Sequence, residues 1–223
     1  MSIAHRGAKG YFPENTISAF EKAFELGCDG IELDVHLSAD GEIIVIHDPT
    51  IDRTTTGKGF VKDLTLTAIK LVAYSNAQIP TLDEVIAITP KKCLVNIELK
   101  SGDTVQPVSE LIAKYVSNHG YNYSSFLVSS FDWIALKELR KINPKIPLGV
   151  LTETDLSLAI AYAEFIGATS VHPQYHLLTL ENTIQIKERG LQVFAWTINE
   201  PTDIDQIKSY NVNGIITDFP DRV

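Results

Sequence analysis

Glu32 and Asp34 stand two residues apart in the apolar run Gly30–Val35, and Glu98 and Lys100 repeat that spacing at the end of Leu94–Leu99. On an extended strand, residues two apart face the same way, so each pair presents both side chains to one face. If the two runs lie side by side, three carboxylates meet one ammonium. Gathering three carboxylates is costly unless positive charge cancels them. A hard divalent cation with oxygen ligands does so, and Mg²⁺ or Ca²⁺ suits such a donor set better than Mn²⁺ or Zn²⁺. The competing reading is a structural ion-pair network with Lys100.

His5 and His47 bring a second kind of chemistry. A displacement reaction needs one group to take a proton from the nucleophile and another to give one to the leaving group. Imidazole serves both roles near neutral pH. We expect these two as the catalytic acid and base; the rival is that they join the carboxylates as ligands of Zn²⁺ or Mn²⁺. Arg6 and Lys100 supply the positive charge that an anionic substrate such as a phosphate requires, with a salt bridge from Arg6 to Glu14 as the alternative. Trp196 either stacks on the substrate or fills the mouth of the site. His172 is read as a pocket-wall or structural residue, His36 as outside the site, and His119 and His176 as surface residues.

These residues need a frame that brings them together. Short β-branched runs alternate with helix-period segments: Ser2–His5, Gly30–Val35, Leu94–Leu99, Phe126–Ser129, Pro147–Leu151, Ala168–His172, Gln192–Trp196 and Gly214–Thr217. Successive apolar residues mark strands buried on both faces. Between them, Asn15 or Thr16 can start a helix that Gly27 ends, Asp132 can cap Trp133–Lys141, and Pro201 suits a first helical turn. The least defined helix lies near Thr154–Glu164. Eight strands with intervening helices predict an α/β fold, a closed (β/α)₈ TIM barrel, whose active site sits at the carboxyl ends of the strands.

A ninth run, Glu42–His47, follows the turn signal Ser38-Ala39-Asp40-Gly41. It reads as a hairpin returning along the second strand. Pairing Ser38 with Gly41 places His47 beside Glu32. Residues 48–80 then form an insertion before the next helix, whose apolar residues Phe60, Val61, Leu64, Leu66 and Leu71 are expected to pack on the barrel. The chain of 223 residues, 44% of them hydrophobic, suits one barrel domain over residues 1–223. Its net charge of −9 argues against nucleic acid or anionic membrane as partners. No apolar run is long enough to span a bilayer and no secretory pattern opens the chain, so a soluble, cytoplasmic protein is expected. Cys28 and Cys93 read as free thiols.

Taken in order, His5-Arg6-Gly7, Pro13-Glu14-Asn15-Thr16, Glu32-Leu33-Asp34, His47-Asp48, Arg53-Thr54-Thr55 with Gly57, Glu98-Leu99-Lys100, Ser130-Phe131, Trp196-Thr197 with Asn199, and Gly214-Ile215-Ile216-Thr217-Asp218 with Pro220 resemble the glycerophosphodiester phosphodiesterase family across essentially the whole chain. The resemblance implies a metal-dependent hydrolase that splits small glycerophosphodiesters into glycerol 3-phosphate and an alcohol. It implies His5 and His47 as catalytic, Glu32, Asp34 and Glu98 as ligands of one divalent cation, and Arg6 and Lys100 beside the phosphate. A lipid phosphodiesterase of lysophospholipase D type, or a barrel that binds without catalysis, are the alternatives. The residues leave open the preferred head group and which histidine is the acid.

Overall fold

A computed structural model describes residues 1–72, 74 and 77–223. The strands are β1 (Ser2–His5), β2 (Gly30–Leu37), β3 (Ile43–Val45), β4 (Leu94–Leu99), β5 (Phe126–Ser130), β6 (Leu148–Thr152), β7 (Ser170–Pro173), β8 (Gln192–Ala195) and β9 (Gly214–Thr217). The helices are α1 (Ile17–Glu25), α2 (Leu66–Lys70), α3 (Leu82–Ile88), α4 (Val105–Asn118), α5 (Trp133–Ile142), α6 (Leu156–Ile166), α7 (Leu180–Glu188) and α8 (Pro201–Ser209).

Eight strands pair in parallel, in the order β1-β9-β8-β7-β6-β5-β4-β2, and β1 pairs β2 to close the barrel. The expected (β/α)₈ architecture is therefore present, with β3 as the extra antiparallel strand on β2. Alternation divides each strand between two environments. Ile31, Leu33 and Val35 face the surrounding helices and join Phe20 and Leu82 in the main apolar cluster. Glu32 and Asp34, on the other parity, line the barrel interior, where Ile3, Leu127, Phe194 and Ile216 form the inner floor.

Bulk inside so narrow a barrel has to be balanced by absence of bulk opposite. A Cβ on Gly149 would stand 2.3 Å from His172 Nε2, and one on Gly214 would stand 2.6 Å from the Phe194 ring. These two glycines make room for the imidazole and the phenyl ring on neighbouring strands.

Helix starts follow from side-chain oxygens. Thr16 accepts from the Ala19 amide, Asp132 from Ile134 and Ala135, and Asp155 from Leu158. Each satisfies amides that an open helix end leaves unpaired. The helix least defined by the sequence, near Thr154–Glu164, forms as α6, Leu156–Ile166, and ends on Gly167 at φ +64°.

Two expectations are corrected. The hairpin pairs Val35 with Val45 and Leu37 with Ile43, and Ser38 closes on Glu42, so the register is one residue away from the one placing His47 beside Glu32. The cause is the loop. It holds three residues, Ala39 to Gly41, with Gly41 at φ +84°, where a two-residue turn was expected. The apolar residues of the insertion also pack differently. Val61, Leu64 and Leu66 gather with Ile44, Ile46, Ile51 and Ile79 in a separate small cluster, while Phe60 is 50% and Leu71 83% exposed. Residues 73, 75 and 76 of that insertion lie outside the described residues.

Candidate active site

The three carboxylates expected on neighbouring strands do converge. Asp34 pairs with Glu98 across β2 and β4, and His5 pairs with Glu32 across β1 and β2. One oxygen each from Glu32, Asp34 and Glu98 lies within 4.8 Å of the others. Among the described residues this cluster contains no histidine. Burial, with Asp34 and Glu98 as neighbours, holds the Glu32 carboxyl well above its usual range. Burial and Asp34 push Glu98 up to about 7. Asp34 is also penalised by burial, but Arg6, Lys100 and His47 outweigh this and keep it below the usual range. Three carboxylates thus face two cations, Arg6 and Lys100, and Asp34 Oδ1 is buried without a hydrogen-bond partner. Hard oxygen donors, two carboxyls whose charged forms lack sufficient positive charge nearby, and an orphaned oxygen fit a divalent cation.

Lys100 Nζ is 2.6 Å from Glu98 Oε1 and 3.6 Å from Asp34 Oδ1. Arg6 takes the salt bridge weighed from sequence, with Nη1 2.9 Å from Glu14 Oε1, and its Nε is 3.2 Å from Asp34 Oδ2. Its backbone amide donates to Glu32 Oε2 at 3.0 Å. Arg6 and Asn15 both adopt positive φ, 54° and 55°. Asn15 uses that turn to donate Nδ2–H to Asp34 Oδ2 at 2.9 Å. Strain of this kind is tolerated where surrounding contacts over-determine it.

Each expected catalytic histidine is anchored by an aspartate. His5 Nδ1 lies 2.7 Å from Asp218 Oδ1, and His47 Nδ1 lies 2.7 Å from Asp48 Oδ1. The hydrogen bond from Arg53 holds the Asp48 carboxyl down to about 2. Burial disfavours the Asp218 carboxylate, yet the hydrogen bond and charge of His5 with Lys9 keep it below its ordinary value. An ionised carboxylate only accepts, so each imidazole holds a proton on Nδ1 for its aspartate, and Nε2 is the nitrogen not engaged by that carboxylate. Burial, offset in part by Asp218, lowers the pKa of His5, which is therefore neutral at pH 7.

One cavity of about 110 Å³ collects these groups: His5, Arg6, Glu32, His47, Glu98 and Lys100 line it. Trp196 lines it too, packs edge-on against Phe131 with centroids 5.6 Å apart, and donates Nε1–H to the His172 carbonyl at 2.7 Å. Asn96 and Ser129 supply polar floor. His172 is fully buried beneath, beside Ser170, with its pKa lowered by burial to about 3. His36 lines a separate rim cleft, its Nε2 3.1 Å from the His47 carbonyl, and His119 and His176 are exposed. The two thiols are free.

Sequence reasoning gave Asn15 only a candidate helix-capping role and assigned Asp218, Asp48 and Arg53 no role in the site. Asp48 was visible as the neighbour of His47. Asp218 lies 213 residues from His5, and only barrel closure, which pairs Ala4 with Thr217, makes them neighbours.

Residues 5–222 match the family described as Glycerophosphoryl diester phosphodiesterase family. The chain belongs to that family. It is 41% identical, over 100% of this chain and 96% of the relative, to a glycerophosphodiester phosphodiesterase of Caldanaerobacter subterraneus. Among solved structures, an Oleispira antarctica phosphodiesterase in complex with the product sn-glycerol-3-phosphate superposes with TM-score 0.89 at 27% identity, over 99% of this chain and 93% of that one. A glycerophosphodiester phosphodiesterase from Thermotoga maritima gives TM-score 0.86 at 29% identity, covering 99% and 96%. Among the described residues, no helix is long and apolar enough to cross a membrane.

Proposed function

We propose that this chain hydrolyses glycerophosphodiesters to glycerol 3-phosphate and an alcohol, with His5 and His47 as the acid–base pair. The observation that carries the reading is two aspartate-anchored imidazoles sharing one small cavity with Glu32, Glu98, Arg6 and Lys100. The Oleispira complex supports it, because its bound product is the half of the substrate such a cavity would retain. The match over residues 5–222 supports treating residues 1–223 as one barrel domain.

Glu32, Asp34 and Glu98 would hold one divalent cation, Mg²⁺ or Ca²⁺. When bound, such an ion offsets phosphate charge and lowers the pKa of a nearby glycerol hydroxyl. Depth distinguishes the histidines. The His5 side chain is 14% exposed and neutral, whereas that of His47 is 32% exposed, nearer the rim. His5 Nε2 takes the proton of the substrate's 2-hydroxyl, whose oxygen attacks phosphorus. The bond from phosphorus to the alcohol oxygen breaks, and His47, entering this step as imidazolium, gives that oxygen its Nε2 proton. A cyclic phosphate results. His47 then takes a proton from water, whose oxygen attacks phosphorus; the bond from phosphorus to the 2-oxygen breaks, and His5 returns its proton to that oxygen. Asp218 and Asp48 stabilise each imidazolium in turn. Arg6 and Lys100 offset the phosphate's charge, and intramolecular attack gains from proximity.

The test is release of glycerol 3-phosphate from glycerophosphocholine by chelator-stripped protein, with Mg²⁺, Ca²⁺, Mn²⁺ or Zn²⁺ added singly. Mg²⁺ or Ca²⁺ restores release on this reading. No release with any cation, from protein shown to be folded, overturns it. A second reading, a single-chain lipid phosphodiester as substrate, is favoured by the exposed Phe60 and Leu71; Phe60 also lines the rim cleft that shares Lys100 with the cavity. Lysophosphatidylcholine cleaved faster than glycerophosphocholine would select it.

A further inference from the structure

The two histidine–aspartate pairs look alike but are held differently. Asp218 directly follows β9, and besides His5 it meets Asn199 Nδ2 at 2.9 Å and Lys9 Nζ at 3.5 Å. Asp48 lies on the loop after β3, with a side chain 25% exposed. Apart from His47, the hydrogen bonds to its carboxylate among the described residues come from Arg53 alone.

Arg53 commits its whole fork. Nε donates to Asp48 Oδ2 at 2.7 Å and Nη2 to Asp48 Oδ1 at 3.1 Å. Nη2 and Nη1 also donate to Glu14 Oε1 and Oε2, at 2.7 and 3.2 Å. Glu14 is anchored in turn by Arg6 at 2.9 Å, and the Tyr74 hydroxyl donates to its carbonyl. A planar guanidinium can grip two carboxylates in this way; an ammonium cannot span both. The grip also reaches across the chain, tying the insertion to the loop between β1 and α1.

We infer that Arg53 is a positioning residue for His47: its guanidinium aims the Asp48 carboxylate so that one His47 proton stays on Nδ1 and Nε2 is the nitrogen that gives and takes protons in the cavity. Without Arg53, a half-buried loop carboxylate next to its histidine is free to rotate away, and the neutral ring regains the Nε2–H tautomer. That tautomer offers the cavity a bound proton and no lone pair, so His47 could no longer take a proton from water. The effect on turnover rests on the two-histidine reading above, whereas the tautomer does not.

The experiment compares full-length protein with Arg53→Met and Arg53→Lys. Ring ¹⁵N spectra report the tautomer of each histidine without substrate, and steady-state kinetics with glycerophosphocholine report kcat and KM. In Arg53→Met the His47 signals move from Nδ1–H towards a mixture with Nε2–H, while those of His5 stay in place. Its kcat falls about 10- to 100-fold, the range for losing a residue that orients another, with a smaller change in KM. Arg53→Lys, which keeps the charge but not the fork, is intermediate. Unchanged His47 signals in Arg53→Met overturn the inference, as do shifted signals with kcat within about threefold of wild type. Should the parent protein turn over no glycerophosphodiester, the two-histidine reading falls and the ring spectra alone decide the role of Arg53.

Discussion

Replacing Asp218 with Asn removes one charge and almost no volume, and the surrounding hydrogen bonds dictate how the new amide lies. Asn199 Oδ1 already accepts from the Asp218 amide at 2.9 Å and from Thr217 Oγ1 at 3.2 Å. Its Nδ2 is therefore forced to point at Asp218 Oδ2. In Asp218→Asn the new side-chain amide can face its oxygen towards Asn199 and its NH₂ towards His5, or the reverse. The reverse sets NH₂ against the pinned Nδ2 of Asn199, which cannot turn. Facing NH₂ to His5 is relieved by moving the His5 proton to Nε2. Lys9 favours the oxygen on the His5 side, but its ammonium is 3.5 Å away on a side chain 29% exposed and can swing into solvent. His5 is thus held in the tautomer that cannot accept the hydroxyl proton. An equivalent change in a Ser-His-Asp triad costs about 10⁴ in kcat. A loss of roughly 10³ to 10⁴, or about 4–5.5 kcal/mol of transition-state stabilisation, is expected here. The assay is kcat for glycerol 3-phosphate release at saturating cation. Adding Asn199→Asp should let the introduced amide turn its NH₂ to residue 199 and its oxygen to His5, recovering at least about tenfold over the single variant. A single variant within about fivefold of wild type would refute the argument. A double variant no better than the single would show that the charge of Asp218, not the tautomer, matters.

The same structure sets three further expectations. Glu98→Gln should weaken binding of the cation at least about tenfold by calorimetry, the scale of losing a group that shapes a metal site, whereas His47→Ala should leave binding near wild type and remove turnover; equal effects of both on binding would undo the division of roles. Burial and Asp34 raise the Glu98 carboxyl to about 7, so its contribution to metal-free stability is full below about pH 4.5 and fades as pH rises through 7. The metal-free melting temperature should fall over that window while the stabilisation added by Mg²⁺ or Ca²⁺ grows, because the cation displaces protons; a cation effect independent of pH from 5 to 8 contradicts this. Gly149→Ala would place a methyl 2.3 Å from His172 Nε2, and overpacking of this kind costs about 1–3 kcal/mol, or roughly 2–12 °C in melting temperature for a chain of this size, measurable by calorimetry.

The barrel was legible because its strands are buried on both faces and its helices start on side-chain caps, both local signals. Glu32 with Asp34, and Glu98 with Lys100, were legible for a similar reason: a spacing of two on a strand decides the face without knowledge of the neighbours. The hairpin register was not. The string Ser38-Ala39-Asp40-Gly41 suits both a two-residue and a three-residue loop, and the difference lies in which residue takes φ +84°. Nor could the packing of Phe60 and Leu71 be read, since an apolar residue in a long insertion finds either a partner or solvent according to how the insertion folds back.

The amino-acid sequence alone determined the element types, the eightfold alternation and the identities of the charged and imidazole groups at the strand ends, because these depend on residue type and short-range spacing. The tertiary structure decided which aspartate orients which histidine, that Arg6 leans on Glu14 and Asp34, and that Arg53 grips Asp48 and Glu14 together. These are contacts between segments up to 213 residues apart, made only when the closing of β9 against β1 and the folding back of the insertion bring the segments within hydrogen-bonding distance.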